Sequence, residues 1–409
     1  MTQDKASTDL QEIVLQAVEM AAERGLPLPP QAMADIVVAQ DAPVPQDAPV
    51  PADGVLSGAG ELAHSAPWNR FPPDLMDKIR RVDIMESLTG IAPGMQAVER
   101  EIEHLITSPV KLIADLTTHT LGAGGKRLRP ALTILSAQLC SGTDAPADST
   151  VITCAALVEL THTSSLLHDD VVDDADVRRG KPAANLIWGN ETSVLVGDYL
   201  FAQVFVTASQ KGFTDLMHPL AYATAQMCAG ELLETQTRRN LGISEKQCRE
   251  IIALKTASLT ECACRLGGRA MKASDEQIER LARFGYGIGM AFQIVDDVFD
   301  IVATQGRVGK PVGNDIREGD ITIPLLRAMQ VCGDAEKNEL RALVGKDPIA
   351  DDEVARGLAI LRGCDAVPYS LGVAAEFVAS AKAQLDIFEP IPARAMLYDI
   401  ADYVLSRDK

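Results

Sequence analysis

Twice in this chain an apolar helical run ends in the pattern DDxxD, and that repetition restricts the fold more than any other feature. In "HTSSLLHDDVVDD" (162–174), His162, Leu166, Asp169 and Asp173 are four, three and four positions apart, so they share one face of a helix. In "GIGMAFQIVDDVFDI" (287–301), Gly289, Gln293, Asp296 and Asp300 repeat that spacing. Asp170 and Asp297 stand beside the two rows. Uncompensated carboxylates inside packed helices are costly. Two rows facing one cavity, bridged by divalent cations and a diphosphate, remove that cost. Mg²⁺ suits such a wall, because it takes oxygen ligands and is typically held by one or two carboxylates plus substrate phosphates. A single DDxxD in a chain with 57 acidic residues reads as a solvated face. Here the flanks "SSLL" and "AFQIV" are small or apolar, which a solvated face would not supply.

The surrounding text is helical. From about residue 74 onward, segments with the 3.6 period are broken by short turns such as "LGAGGKRLRP" and "SGTDAPADS", and no run alternates reliably as a strand. Aromatics make up only 4% of the 409 residues. The expected architecture is an all-α domain over 74–409, a bundle of long packed helices. Residues 1–73 read as an N-terminal extension. It holds one short helix over 10–25 and a Pro/Ala-rich flexible linker over 41–54. No stretch reads as long and apolar enough for a transmembrane segment, and the N-terminus lacks the pattern of a signal peptide. Eight cysteines without a CxxC pair fit reduced thiols in a cytoplasmic protein. A formal charge of −19 argues against nucleic acid and anionic lipid as partners. Phosphates must then be met by local basic clusters or by bridging metals.

Such clusters are present. "GAGGKRLRP" (122–130) places Lys126, Arg127 and Arg129 after a glycine turn. It differs from a nucleotide-binding P-loop, because Arg127 stands where Ser or Thr is needed and no strand precedes it. A basic turn at the head of a helix still makes a phosphate clamp. Arg178 and Arg179 follow the first aspartates directly. Lys255, with Thr256, lies in apolar helical text and needs an anionic partner, and Lys310 sits in the glycine-rich loop "GRVGKPVGND". Carboxylates reach a diphosphate only through metal, whereas arginine and lysine reach it directly. Both sets together suit a two-substrate enzyme in which only one diphosphate is made to leave. His168 beside Asp169 would also open an HD-type phosphohydrolase, but that site needs further ligand histidines and the chain has six in all.

The landmarks "GGKRLRP", "HTSSLLHDDVVDDADVRRG", "GDYLFA", "KTASL", "AFQIVDDVFDI" and "GKPVGNDIREGDITIPLL" together resemble the trans (E-type) polyprenyl diphosphate synthases, long-chain type. They occur in that family's order over roughly residues 90–409. The resemblance implies an isoprenoid-synthase-type helix bundle around a deep central cavity, working as a homodimer. It implies Mg²⁺-dependent head-to-tail condensation of isopentenyl diphosphate with an allylic diphosphate such as farnesyl diphosphate, with three Mg²⁺ ions per active site. By motif, Asp169 and Asp173, with Asp170 close by, match the first metal site. Asp296 and Asp300, with Asp297, match the second. Lys126, Arg127, Arg129, His162 and Arg179 match the isopentenyl diphosphate site. Arg178, Lys255, Thr256, Gln293 and Lys310 match the allylic diphosphate site.

The same resemblance sends the growing chain down the first aspartate helix, where bulky residues a turn before DDxxD act as a floor. Ser164 and Ser165 occupy those positions, so the tunnel is expected to stay open and the product to be long, a quinone side-chain precursor. Three positions depart from the family pattern. Asp320 stands where lysine is common, Asn314 replaces a frequent aspartate, and Glu234 replaces the usual glutamine of "GELLETQ". Two alternatives follow: a synthase of short or unusual isoprenoids on the same fold, and a non-catalytic partner subunit of a prenyl synthase.

Overall fold

The computed structural model describes residues 82–143, 147–303 and 312–407. The expected N-terminal extension (1–73), its helix and its linker lie outside the described residues, as does Lys310. Seventeen α-helices are described: α1 (Ile84–Ser87), α2 (Ala92–Leu105), α3 (Lys111–Leu121), α4 (Leu128–Ser141), α5 (Ser149–Val172), α6 (Ala184–Trp188), α7 (Asn190–Gln210), α8 (Thr214–Thr237), α9 (Glu245–Ile252), α10 (Ser258–Ala270), α11 (Asp275–Val302), α12 (Asn314–Glu318), α13 (Ile323–Val331), α14 (Asp334–Val344), α15 (Asp351–Gly363), α16 (Ala366–Gln384) and α17 (Pro392–Ser406). The fold is all-α as expected. Its one addition is an antiparallel ribbon of two-residue strands, β1 (Val177–Arg178) and β2 (Lys181–Pro182). Arg179 and Gly180 join them with positive φ at both positions (52° and 77°), the tight reversal that such a ribbon favours.

Helix α10 is the central rod. It packs against α4, α5, α8 and α11, while α11 also carries α16 and α17 on its other sides. Helix α5 starts where the Asp148 carboxylate accepts from the Val151 amide (2.9 Å), and it is buried on nearly all sides by α2, α4, α7 and α10. Helix α11, 28 residues long, begins at a Ser274–Gln277 capping box. Gly289 lets it lie close to α10, because a methyl there would stand 2.2 Å from Thr260 Oγ1 and 2.5 Å from Ala257 Cα. The sequence placed Gly289 on the functional stripe of α11; in the structure that position serves helix packing.

One expectation needs correction. Among the described residues, two helices are long and apolar enough to cross a membrane by length and composition alone. Of the most apolar window of α5, 72% is buried in the bundle, which makes it a core helix. For α7 only 39% is buried, and Val194, Leu195 and Val206 stand exposed on its outer face.

Candidate active site

Helices α5, α8, α9, α11 and α12 wall a cavity of about 500 Å³. From α5 and its C-cap come His162, Ser165, Leu166, Asp169 and Asp173, so all four residues of the first stripe reach one space. From α11 come Gln293, Asp296, Asp297 and Asp300. The two aspartate rows therefore face each other across a single hollow.

Each carboxylate has its own environment. Burial, reinforced by Glu231, pushes Asp169 up to about 7, with Lys255 opposing. Burial also lifts Asp297 to about 8; Gln293 Nε2 donates to it at 2.9 Å and resists the rise, while Asp296, Glu234 and Asp300 add to it. Asp300 accepts from the backbone amides of Gly313, Asn314 and Asp315 at 3.1, 3.0 and 3.0 Å, which anchors the start of α12. Asp296 accepts from Arg407 Nη2 at 2.6 Å. Asp170 differs. It points away from the hollow, is 1% exposed, and accepts from Arg178 Nε at 2.7 Å and Nη2 at 2.5 Å. The Arg178 guanidinium holds it behind the wall, whereas Asp297, the equivalent neighbour on α11, enters the cavity. The role of Asp170 here is to hold Arg178 at the rim.

The basic residues divide the same way. Arg129, His162, Arg178 and Arg179 line the cavity, and Arg129 Nε is buried without a hydrogen-bond partner. Burial, then Arg129, Arg179, Arg178 and Arg127, drives His162 well below the ordinary imidazole range, so it is neutral before substrate binds. Arg127 is not in the lining. At φ 49° it heads α4 and bonds Glu99 (2.9 Å), Glu159 (2.7 Å) and the Leu121 carbonyl (3.1 Å). These bonds make it a brace for the basic turn. Lys126 is likewise outside the lining, its ammonium 4.9 Å from the Tyr403 ring centre.

Lys255 and Thr256 both enter the cavity from a π-helical turn, Ala253–Ala257, between α9 and α10. Such single wide turns recur at functional sites because they re-aim neighbouring side chains. Thr256 Oγ1 donates to Gln293 Oε1 at 2.9 Å. Lys255 meets Glu231 at 2.9 Å and also Glu234. Burial disfavours the ammonium, but the two glutamates outweigh it and hold Lys255 above the ordinary lysine range. Burial raises Glu234 to about 7 against the pull of Lys255.

Of the two expected chain-length residues, Ser165 lines the cavity. Ser164 does not. It is fully buried and donates to the Gly197 carbonyl on α7 at 2.6 Å. Sequence reasoning passed over Arg238, Arg407, Glu231 and Asp315. Arg238 and Arg407 lie far along the chain from the aspartates they touch, so no local pattern marks them; Glu231 stands one helical turn from the flagged Glu234 and was within reach.

The metal named by the sequence can be tested against these donors. Among the described residues no three carboxylates, histidines or thiols converge closely enough to cage an ion alone. Mg²⁺ does not need such a cage, because it keeps waters and phosphate oxygens in its shell. The walls supply hard oxygens in excess, and burial and mutual repulsion hold Asp169 and Asp297 partly protonated, a condition a bound cation would reverse. The donor set fits.

Comparison with known proteins agrees with this site. The polyprenyl synthetase family matches residues 110–361. A nonaprenyl diphosphate synthase from Mycobacterium tuberculosis is 37% identical over 319 residues, 78% of this chain and 93% of that protein. A short chain isoprenyl diphosphate synthase from Methanothermobacter thermautotrophicus is 33% identical over 82% of this chain and 99% of its own length. The crystal structure of a Caulobacter crescentus polyprenyl synthase, complexed with calcium and isoprenyl diphosphate, superposes with a TM-score of 0.77 at 34% identity, covering 81% of this chain and 99% of that one. With two aspartate rows and a basic cluster around one hollow in a helix bundle, this chain belongs to the polyprenyl synthetase family and is a prenyltransferase.

Proposed function

We propose that the enzyme joins isopentenyl diphosphate head-to-tail to an allylic diphosphate such as farnesyl diphosphate, building a long all-trans polyprenyl diphosphate that serves as a quinone side-chain precursor. The observation that carries this reading is the convergence of both aspartate rows and the basic cluster on one cavity. Arg129, His162 and Arg179, with Lys126 nearby, receive isopentenyl diphosphate by direct charge-assisted hydrogen bonds. The unpartnered Arg129 Nε supports that assignment. Lys255, Thr256, Gln293 and Arg178 receive the allylic diphosphate, joined by Lys310, which lies outside the described residues. Asp169, Asp173, Asp296 and Asp300 would hold three Mg²⁺ ions on that side. When bound, the metal withdraws charge from the allylic diphosphate and eases departure of that group.

The electron pair of the allylic C–O bond leaves with the diphosphate. The isopentenyl double bond attacks the resulting allylic carbon, and the proton then lost goes to the released diphosphate. Leu166, Phe292 and Phe299 give the cavity apolar surface that keeps water from the cation. Small Ser165 leaves room along α5, which favours the long product. The exposed Val194, Leu195 and Val206 face of α7 suits a second copy of the chain, and in this reading the enzyme is a cytoplasmic homodimer.

The test is direct. Purified protein with Mg²⁺, farnesyl diphosphate and labelled isopentenyl diphosphate should yield products well beyond four isoprene units on chromatography, and chelation should abolish them. Products that stop at the first or second addition would replace this reading with a short-chain one. No elongation by the protein alone would favour a partner subunit.

A further inference from the structure

Arg238, the residue after α8, touches carboxylates from both sides of the site. Its Nε donates to Asp320 at 2.9 Å and its Nη2 to Asp173 at 3.0 Å, with Glu318 at 3.6 Å. Asp173 ends the first aspartate row. Glu318 and Asp320 belong to the α12 segment, whose start is anchored by Asp300 of the second row. One guanidinium thus spans the two walls. The next residue ties down the same segment. Arg239 donates its backbone amide to the Gly319 carbonyl at 2.7 Å and its Nη1 to the Val344 carbonyl at 3.2 Å. Asp173 and Asp320 line the cavity, while Arg238 stands behind them and outside the lining.

We propose that Arg238 is a positioning residue for the allylic diphosphate, its fork fastening the α12 segment to the end of α5 and holding Asp173 and Asp320 at a fixed separation. Two features support a fork over a plain counter-charge. The two carboxylates are taken by different nitrogens of one planar group, which a single ammonium cannot imitate. In addition, three acidic groups surround one cation, so its loss leaves like charges free to push apart and raises the negative potential met by an incoming diphosphate. Position 320 then needs its carboxylate, because an ammonium there would face the Arg238 guanidinium. The inference rests on the proposed function only in naming the ligand.

The experiment uses the full chain. Farnesyl diphosphate is titrated calorimetrically in excess Mg²⁺ without isopentenyl diphosphate, so no turnover occurs. Arg238→Gln should raise Kd about tenfold or more, and Arg238→Lys should still raise it about fivefold. Asp320→Asn should give a smaller rise, with little further effect in the Arg238→Gln background. Isopentenyl diphosphate affinity should stay within about twofold of native. Hydrogen exchange, read without ligand, should quicken in both 170–175 and 313–320 in Arg238→Gln. Native affinity in Arg238→Lys, an equal loss at both diphosphate sites, or unchanged exchange in those segments would each overturn the proposal. If the native chain binds no farnesyl diphosphate, the functional reading fails, while the exchange experiment still decides whether Arg238 fastens the two walls.

Discussion

Glu234→Gln should strengthen allylic diphosphate binding, and the gain should grow with pH. Glu234 and Glu231 both hold Lys255, so two carboxylates share one ammonium and one negative charge is in excess. Burial responds by raising Glu234 to about 7, leaving it half charged at neutral pH. A diphosphate on the far side of the Lys255 ammonium would sit roughly 5 Å from that carboxylate; at an effective dielectric of about 20, one full charge there costs about 3 kcal/mol. A carboxylate at its midpoint escapes most of that cost by taking up a proton as the ligand binds, which leaves about RT ln 2, roughly 0.4 kcal/mol or twofold in Kd at pH 7. The cost should nearly vanish near pH 6 and reach roughly 1.4 kcal/mol, about tenfold in Kd, near pH 8. Titration of farnesyl diphosphate with Mg²⁺ at these three pH values, native against variant, measures it. Thermal melts give a second readout. A carboxylate raised on folding binds its proton more tightly in the native state, so it costs stability as pH rises from its ordinary value of 4.5 towards 7. The native protein should lose stability over that window relative to Glu234→Gln. A gain in affinity of the same size at pH 6 and pH 8, or weaker binding by the variant, would refute the reasoning.

Three further outcomes follow. Ser165→Phe should shorten the product distribution on chromatography, whereas Ser164→Phe, buried against the Gly197 carbonyl, should destabilise the α5–α7 contact before it alters chain length. Arg127→Ala should lower stability by about 3 kcal/mol in denaturant titration, because it leaves Glu159 buried without its partner. His162, neutral because of burial and four guanidinium groups, should take up a proton when isopentenyl diphosphate supplies the opposite charge. Calorimetry near pH 6.5 in buffers of different ionisation enthalpy should show that uptake, and His162→Asn should abolish it.

Much of the site was legible because helical spacing fixes which residues share a face. His162, Leu166, Asp169 and Asp173 were separable from their neighbours by counting alone, and the cavity contains all four. Counting does not separate Asp170 from Asp297: each follows the first aspartate of its row, yet Asp170 turns away to Arg178 while Asp297 enters the cavity. The brace at Arg127 was not legible. Three basic residues within four positions read as one clamp, yet left-handed backbone at Arg127 turns it back to Glu99 and Glu159. The π turn that aims Lys255 and Thr256 together leaves no mark on composition or period. Arg238 and Arg407 reach the aspartates through tertiary contacts, 65 and 111 positions along the chain from their partners Asp173 and Asp296.

Two of the three departures flagged in the sequence, Asp320 and Glu234, make sense once these contacts are combined. Asp320 adds a negative charge to an already acidic wall, and Arg238 answers it at 2.9 Å. Glu234 adds another, and partial protonation answers that one. The acidic side is therefore balanced in three ways without metal: protons on Asp169, Glu234 and Asp297, guanidinium on Asp173, Asp296 and Asp320, and backbone amides on Asp300. The protons and guanidinium contacts can yield to a bound cation, because a carboxylate that loses a proton or shares an oxygen still keeps its place on the helix. On the basic side Arg178 is held by Asp170 and Arg179 by the Gly124 carbonyl, whereas Arg129 Nε has no hydrogen-bond partner. In the proposed function, a diphosphate on the acidic side would arrive with cations and displace protons, and one on the basic side would meet the open Arg129 donor. In the proposed function this asymmetry decides which of the two diphosphates departs, because only the acidic side offers a site where charge can build on the leaving oxygen and be neutralised.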